Sequence, residues 1–216
     1  MVRGCVYVDG FNLYHAIDDL KKPYLKWLNL RRLSEIFARG HATQVDRVVF
    51  CSAFFPGNFE KKKRHEAYNA ALKANGVEVI LGHTTKEPKS CLSCHRRWDE
   101  PREKETDINV ALALFDDARK DLFDVAFLVT ADTDQAATLR FMLRSFPTKK
   151  VIVVTPPGRQ KSKHLRDLSH ANIQITEEMI DLAVMRSSVA PDVGRLIVRP
   201  STYEPPAGWV HPDDRP

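Results

Sequence analysis

Short apolar runs alternate along the chain with longer segments of helical spacing. Six runs of strand length are rich in Val, Ile and Phe: Cys5–Val8, Val45–Ser52, Val77–Leu81, Val125–Val129, Val151–Thr155 and Ile173–Ile175. Most lack polar alternation, a pattern typical of strands buried on both faces of a parallel sheet. The segments between them predict helices over Leu30–Arg39, Glu60–Asn75, Asp107–Lys120, Thr133–Arg144, Lys163–His170 and Glu177–Met185. This alternation predicts a three-layer α/β/α sandwich with a mainly parallel sheet.

Two segments depart from the alternation. The polar stretch His83–Glu103 carries "CLSCHRRW" and is predicted to be a loop, longer than most connections and therefore a functional or subdomain candidate. Residues 187–216 are rich in Pro, which prevents a regular helix. This extension is either an arm packed on the domain, with Tyr203 and Trp209 as anchors, or a disordered tail. We therefore predict one domain over 1–186 and a C-terminal extension over 187–216.

Composition sets broad limits on the class of protein. The 216 residues suit one domain, and 43% apolar residues are enough for a core. A net charge of +5 permits nucleic-acid binding without establishing it. The start "MVRGCVYVDG" lacks the features of a signal peptide, and no run approaches the roughly 20 apolar residues of a membrane span. We expect a soluble cytoplasmic protein with no membrane partner, in which Cys5 and Cys51 are small buried hydrophobes.

Four aspartates fall near the predicted ends of strands or starts of helices. Asp9 ends the first apolar run, Asp132 and Asp134 follow the fourth, and Asp107 opens the helix before that run. Carboxyl ends of parallel strands meet at the edge where open α/β folds bind ligands. A carboxylate cluster there is repulsive unless a cation neutralises it, and Mg²⁺ or Mn²⁺ suits such ligands. Such a metal can activate water for attack at phosphorus, and Asn12 could orient water or a phosphate oxygen.

Each carboxylate also has a simpler interpretation. Asp107 or Asp132 alone could be only a helix N-cap. Asp9 is harder to explain in this way, because a carboxylate that ends a buried strand is costly unless it is paired. A phosphatase of the haloacid dehalogenase type would need a second Asp two residues after Asp9, where this chain has Phe11.

Three segments together resemble a known family. They are "VYVDGFNLYHAI", "EKETDINVALALFDDA" and "LVTADTDQAATLRFM", in that order. They resemble the motifs of NYN domains, which belong to the PIN-like nuclease superfamily, over roughly residues 1–185. The CxxC segment is similar to that of the LabA-like bacterial branch. The resemblance implies a Rossmann-like PIN fold and metal-dependent hydrolysis of RNA phosphodiester bonds; the alternative is a catalytically silent RNA-binding or regulatory module of the same fold.

The resemblance also assigns residues. The Mg²⁺ or Mn²⁺ ligands and catalytic carboxylates would be Asp9, Asp107, Asp132 and Asp134. Asn12 matches the asparagine of the first motif, and Lys104 matches a basic position that pairs with the carboxylates or touches a phosphate. The chain departs from the usual pattern at Ala131, where Gly is commoner, and at Gln135, where a large apolar residue is commoner.

Basic and aromatic residues supply candidates for RNA contact. The segment after the Val151 run carries four basic residues that we expect near the same sheet edge: Arg159, Lys161, Lys163 and Arg166. They could contact RNA phosphates, or they could form an ordinary solvated helix face. Phe11, Tyr14 and Trp98 could stack on bases, although Phe11 and Tyr14 share one helical face and fit a core equally well.

Cys91 and Cys94 form a CxxC pair with the spacing of metal ligands. A structural Zn²⁺ needs four ligands, and the remainder could come from His95, from His83 or from a second subunit of a homodimer. The segment "CLSCH" also fits a haem-attachment pattern, which a chain without a secretory signal disfavours. A pair of free thiols is the remaining interpretation.

Overall fold

Strands and helices alternate along most of the chain. The computed structural model describes residues 1–54 and 58–215. Its elements are β1 (Arg3–Asp9), α1 (Gly10–Asp19), α2 (Leu30–Phe37), β2 (Gln44–Ser52), α3 (Phe59–Ala74), β3 (Glu78–Leu81), β4 (His83–Ser90), β5 (Arg97–Lys104), α4 (Thr106–Arg119), β6 (Val125–Val129), α5 (Ala136–Ser145), β7 (Lys150–Thr155), α6 (Lys163–Asp167), β8 (Ala171–Gln174), α7 (Glu177–Asp181), β9 (Ser188–Val189) and β10 (Ile197–Val198). Short 3₁₀ turns lie at Pro23–Lys26, Thr133–Gln135, Ser201–Tyr203 and Pro212–Asp214.

The six predicted strands form one parallel sheet in the order β3-β2-β1-β6-β7-β8. Every residue of β6 is buried, as expected for a strand covered on both faces. The chain runs from β1 outward through β2 and β3, and then returns to build β6, β7 and β8 on the other side of β1. The order therefore reverses between β1 and β6, and the crevice at this switch point is where open α/β sheets bind ligands.

Helices cover both faces of the sheet, because successive strand side chains point to opposite sides. Val6 and Val8 of β1 join the core under α1, α2, α3 and α7. Cys5 and Tyr7 join the core under α4, α5 and α6. This confirms the predicted three-layer α/β/α sandwich. None of the helices among residues 1–54 and 58–215 has the length and apolar character needed to cross a membrane.

Cys5 and Cys51 are buried hydrophobes, as predicted. Burial raises the pKa of the Cys5 thiol to about 11. The same effect raises the pKa of Cys51 to about 12. Both thiols are therefore protonated and poorly reactive at neutral pH.

The segment His83–Glu103, predicted as a loop, is instead mostly a β-hairpin. Strands β4 and β5 pair in antiparallel register, from His83 opposite Lys104 to Ser90 opposite Arg97. The helix α1 was not among the six helices predicted from spacing, although Phe11 and Tyr14 fitted one helical face, and α6 and α7 end earlier than the pattern indicated. The hairpin escaped prediction because its strands alternate between half-buried and exposed polar residues and have no apolar face.

The C-terminal extension packs on the domain as an arm. The Trp209 indole donates a hydrogen bond to the Asp181 carboxylate at 2.7 Å. Its ring lies 5.4 Å from the ring of Tyr24, measured between centroids. Arg186 forms two hydrogen bonds with Asp214, at 2.8 and 3.0 Å. Of the two alternatives for the extension, the structure has the packed arm.

Candidate active site at the carboxyl edge of the sheet

Asp9 is both the last residue of β1 and the N-cap of α1. Its Oδ1 accepts a hydrogen bond from the Asn12 backbone N–H at 3.0 Å, a favoured position for negative charge. The side chain is only 3% exposed. The next residue must be small: a Cβ on Gly10 would lie 2.5 Å from the Cys51 carbonyl oxygen and 2.7 Å from the Phe50 ring. Glycine therefore lets α1 begin directly against β2.

The ends of β1 and β6 are joined by side-chain hydrogen bonds. The Thr130 hydroxyl donates to Asp9 Oδ2 at 3.1 Å, and its oxygen accepts from the Asp132 backbone N–H at 3.0 Å. Asn12 Oδ1 accepts from the Ala131 backbone N–H at 3.0 Å. These bonds hold the two strand ends as neighbours, as the strand-end pattern predicted. Asn12 thus shapes the turn after β6, a role that the sequence did not suggest.

The turn after β6 presents Asp132 and Asp134. Asp132 Oδ1 accepts from the Asp134 backbone N–H at 2.9 Å, so Asp132 caps the 3₁₀ turn. Gln135 is 2% exposed and donates to the Asp107 carbonyl oxygen at 3.2 Å, while its own Oε1 accepts from the Thr138 hydroxyl at 2.8 Å. The unusual Gln135 therefore ties this turn to the start of α4.

Asp107 lies in the first turn of α4 and is half-buried. It is not the residue that caps the helix. The N-cap position is Glu105, with φ of 76°, and the Thr106 N–H instead donates to Glu103 Oε1 at 2.9 Å. A capping role thus applies to Asp132 and, contrary to the expectation from the sequence, also to Asp9, but not to Asp107.

The carboxylates at this edge act electrostatically on one another. Burial raises the pKa of Asp9 to about 7, and the charges of Asp107 and Asp132 push it in the same direction. Burial also raises the pKa of Asp107, and the charges of Asp132, Glu103 and Asp134 add to that effect. Asp9, Asp107, Asp132 and Asp134 therefore share one region of negative potential, which a bound cation would relieve.

The donor set at this edge is made of oxygen atoms. Oxygen ligands suit a hard cation such as Mg²⁺ or Mn²⁺. Both Asp9 oxygens already accept hydrogen bonds, but each carboxylate oxygen can accept more than one contact. Within residues 1–54 and 58–215, no three His, Cys, Asp or Glu side chains already converge as a complete ligand set. The carboxylates lie near enough to interact electrostatically, but their side chains would have to move closer together to bind one cation.

The predicted basic residues lie in two places. The first group follows the carboxyl end of β7, which lies at the same edge of the sheet as the carboxylates: Arg159, Lys161, Lys163 and Arg166. Arg159 is ion-paired with Asp19 at 2.8 Å and Arg166 with Asp167 at 3.7 Å. Lys104 instead lies at the end of the β-hairpin, where its ammonium donates to Glu87 at 2.7 Å.

Cys91 and Cys94 lie in the turn at the tip of the hairpin. The Cys91 N–H donates to the Arg96 carbonyl at 2.9 Å, and the His95 N–H donates to the Cys91 carbonyl at 3.0 Å. Backbone hydrogen bonds from Cys94 and Ser93 lower the pKa of the Cys91 thiol. His83, proposed above as a further zinc ligand, starts β4 at the opposite end. Eight strand residues at about 3.3 Å each place it roughly 25 Å away, so that assignment is wrong.

This chain is similar to known proteins over most of its length. The model of the NYN domain family matches residues 3–177 of this chain. The chain belongs to the NYN domain family. NYN domains are PIN-like, are generally nucleases, and typically use divalent metals. A nuclease domain implies a nucleic-acid substrate.

Two known proteins resemble this NYN domain, one in sequence and one in fold. The chain is 24% identical over 203 residues to 6-hydroxy-3-succinoylpyridine 3-monooxygenase of Pseudomonas putida; the match covers 77% of this chain and 64% of that protein. The chain thus spans less than two thirds of that relative. A solved protein of unknown function from Vibrio parahaemolyticus has a TM-score of 0.52 at 17% identity, over 82% of this chain and 94% of that one, and so shares the fold.

Proposed function

We propose that this NYN domain is a ribonuclease that hydrolyses RNA phosphodiester bonds with Mg²⁺ or Mn²⁺ held at the carboxyl edge of the sheet. The residues proposed to hold the metal are Asp9, Asp107, Asp132 and Asp134. One observation carries the proposal. Asp9 is a buried carboxylate at the switch point between β1 and β6, and its pKa is raised to about 7 by burial and by two neighbouring carboxylates. The two hydrogen bonds to Asp9 do not fully offset the cost of burying its charge, and carboxylates with such raised pKa values concentrate at binding and catalytic sites.

The metal, when bound, supplies a Lewis acid and a metal-activated water for attack at phosphorus. The protein holds the proposed ligands in place. Asp9 is fixed by the Asn12 N–H and the Thr130 hydroxyl, which leave its carboxylate little freedom to turn. Because the pKa of Asp9 is about 7, cation binding near neutral pH displaces a proton from this carboxyl group.

The segment after β7 is proposed to guide the RNA backbone. Lys161 and Lys163 are exposed on this segment, next to the strand that pairs with β6. Arg159 and Arg166 share the segment and are already ion-paired, so they would contribute by exchanging a carboxylate for a phosphate. Lys104 would have to leave Glu87 to reach a phosphate, which makes it the weaker candidate for RNA contact.

The proposal is tested by cleavage of a panel of end-labelled single-stranded and structured RNAs in Mn²⁺. The variants Asp9→Asn and Asp132→Asn should lose more than about 100-fold in rate, since even residues that only support metal ligands cost 10- to 100-fold. The matched control is Asp46→Asn, an exposed carboxylate near the start of β2 and hence at the opposite edge of the sheet. Equal cleavage by the parent and by Asp9→Asn refutes the proposal.

The alternative is an RNA-binding or regulatory module that does not cleave. It predicts that the parent protein binds these RNAs, shifts their mobility and leaves them intact at every Mn²⁺ concentration. A nuclease instead shortens the RNA in a metal-dependent manner, and EDTA stops it. The same panel of RNAs therefore separates the two functions in one experiment.

A further inference from the structure

A cavity of about 210 Å³ lies along α1, the helix that begins directly after Asp9. Its walls come from α1, the Pro23–Lys26 turn, the end of β2, α3 and the Ser201–Tyr203 turn of the C-terminal arm. Gly10 and Phe11, the two residues after Asp9, also line it. The cavity and the carboxylate site are therefore adjacent regions of the same sheet edge.

Aromatic side chains dominate the walls of this cavity: Phe11, Tyr14, Phe50, Tyr68 and Tyr203. The rings of Phe50 and Tyr68 are perpendicular at 6.0 Å between centroids. The Tyr68 hydroxyl donates to the Leu28 carbonyl at 3.0 Å, which fixes this ring in place. Tyr14 is 41% exposed, so its ring is accessible to a ligand from solvent. Aromatic walls of this kind stack on planar heterocycles.

The charged residues of the cavity favour an anion. Lys26, Lys61 and Arg64 line it, and none of the described lining residues is Asp or Glu. Lys26 is neutralised by Asp18, with its ammonium 4.8 Å from the centroid of the Tyr14 ring. Lys61 and Arg64 extend from the first half of α3, on one helical face. A positive end and an aromatic interior together suit a planar ring that carries a negative group.

The cavity also offers hydrogen-bonding groups. Ser52 Oγ lies 3.4 Å from His65 Nε2, and both residues line the wall. Burial lowers the pKa of His65, so its ring is neutral at physiological pH and can both donate and accept. Such groups can bind the polar edge of a heterocycle.

We propose that this cavity binds one nucleotide of the RNA strand, with the base among the aromatic rings and its phosphate at Lys61 and Arg64. The inference rests on the proposed ribonuclease function and adds a subsite to it. A nucleotide seated there places the adjoining phosphodiester at the mouth of the neighbouring carboxylate site. Tyr203 lies beyond residues 3–177, the part that the family model matches, so the C-terminal arm contributes one wall of the subsite.

The test is calorimetric titration of the full-length protein in EDTA with the four 5′-mononucleotides and, separately, with benzoate. We expect mononucleotides to bind without metal. Arg64→Gln should weaken binding about tenfold, the value of one charge-assisted hydrogen bond. Tyr14→Ala, at a position 41% exposed, should weaken it about fivefold or more. Arg119→Gln, an exposed cation paired with Asp116 at the far end of α4, should leave the affinity unchanged.

Results of two kinds in this titration overturn the inference. Benzoate binding without nucleotide binding shows a pocket for small aromatic acids instead. The absence of any binding shows that the cavity takes no nucleotide, and an unchanged affinity in Arg64→Gln shows that nucleotides bind without the proposed phosphate contact. Asp9→Asn should keep nucleotide affinity while it loses cleavage. A protein that binds mononucleotides but never cleaves RNA refutes the function and not the subsite, whereas a protein that cleaves RNA without mononucleotide affinity refutes the subsite alone.

Discussion

The hydroxyl of Thr130 donates a hydrogen bond to the Asp9 carboxylate at 3.1 Å and accepts one from the Asp132 backbone N–H at 3.0 Å. One side chain at the end of β6 thus positions two of the proposed metal ligands, which lie far apart in sequence. Thr130 is fully buried, so both hydrogen bonds are shielded from water. We regard it as a positioning residue, because it acts through the carboxylates.

Removing this hydroxyl should therefore loosen the site. Thr130→Val keeps the shape and loses both hydrogen bonds, which should cost about 1–3 kcal/mol of unfolding free energy. It should also weaken Mn²⁺ binding by about 10- to 100-fold, the typical effect of losing a residue that supports a metal ligand. Thr130→Ser keeps the hydroxyl and is the matched control. If Val and Ser variants bind Mn²⁺ equally well, the hydroxyl does not position the ligands.

Asp9 should make the metal-free protein less stable as pH rises. Its pKa is raised from 3.8 in an ordinary setting to about 7 in the folded state. The folded state then holds the proton more tightly, so the free energy of unfolding falls between about pH 4 and pH 7 and is flat above. The pKa difference of about three limits this loss of unfolding free energy to at most roughly 4 kcal/mol.

Urea denaturation in EDTA at pH 4 and pH 8 measures this effect. Asp9→Asn retains an N-cap acceptor and carries no charge, so it should match the parent at pH 4 and exceed it in stability at pH 8. A variant less stable than the parent at pH 8 contradicts the assignment of Asp9 as a strained, functional carboxylate.

A second buried carboxylate is structural. Asp117 is fully buried on α4 and accepts hydrogen bonds from the Tyr7 hydroxyl at 2.7 Å and from the Arg47 guanidinium. Arg47→Met should cost about 3–5 kcal/mol of unfolding free energy, because it leaves a buried charge without its cation. Tyr7→Phe should cost only about 1 kcal/mol. In the double variant Arg47→Met with Asp117→Asn, stability should partly recover; further loss would contradict this account.

The two kinds of cysteine should differ in reactivity. Cys5 and Cys51 are buried with raised pKa values, whereas Cys91 and Cys94 lie in the hairpin turn and are partly exposed or exposed. A disulfide reagent applied to the native protein should therefore label the hairpin pair and leave the buried pair unmodified until the protein unfolds. Rapid labelling of Cys51 in the native protein contradicts its burial.

Zinc at the hairpin requires ligands from outside the pair. We predict that, if Zn²⁺ binds, it joins the Cys91 and Cys94 thiolates of two chains and gives one ion per dimer. Metal analysis combined with light scattering measures both the stoichiometry and the mass. Cys94→Ser should lose both the metal and the dimer. One zinc per monomer contradicts a shared site.

The sequence predicted the central sheet because its strands are buried on both faces and therefore consist of unbroken apolar runs.

The β4–β5 hairpin has no apolar face and is held by its backbone hydrogen bonds and by ion pairs such as Lys104 with Glu87. Its sequence has no regular spacing of hydrophobic residues that would indicate a strand. The bounds of helix α1 were not predicted because it starts directly after β1, with Asp9 as both strand end and cap.

The candidate site was only partly predictable. The rule that strand ends meet at one edge of a parallel sheet placed Asp9 near Asp132. The contributions of Thr130 and Gln135 depend on hydrogen bonds between elements that are distant in sequence, which spacing along the chain does not reveal. The cavity could not be anticipated either, because Tyr203 reaches it from an extension whose packing is set by tertiary contacts.

The most direct test of the central claim is Mn²⁺ binding itself, titrated by electron paramagnetic resonance on the full-length protein. We expect saturable binding by the parent and by Asp46→Asn. The double variant Asp9→Asn with Asp132→Asn should lose this binding while remaining folded. Binding by the double variant equal to that of the parent would show that the carboxyl edge of the sheet is not the metal site.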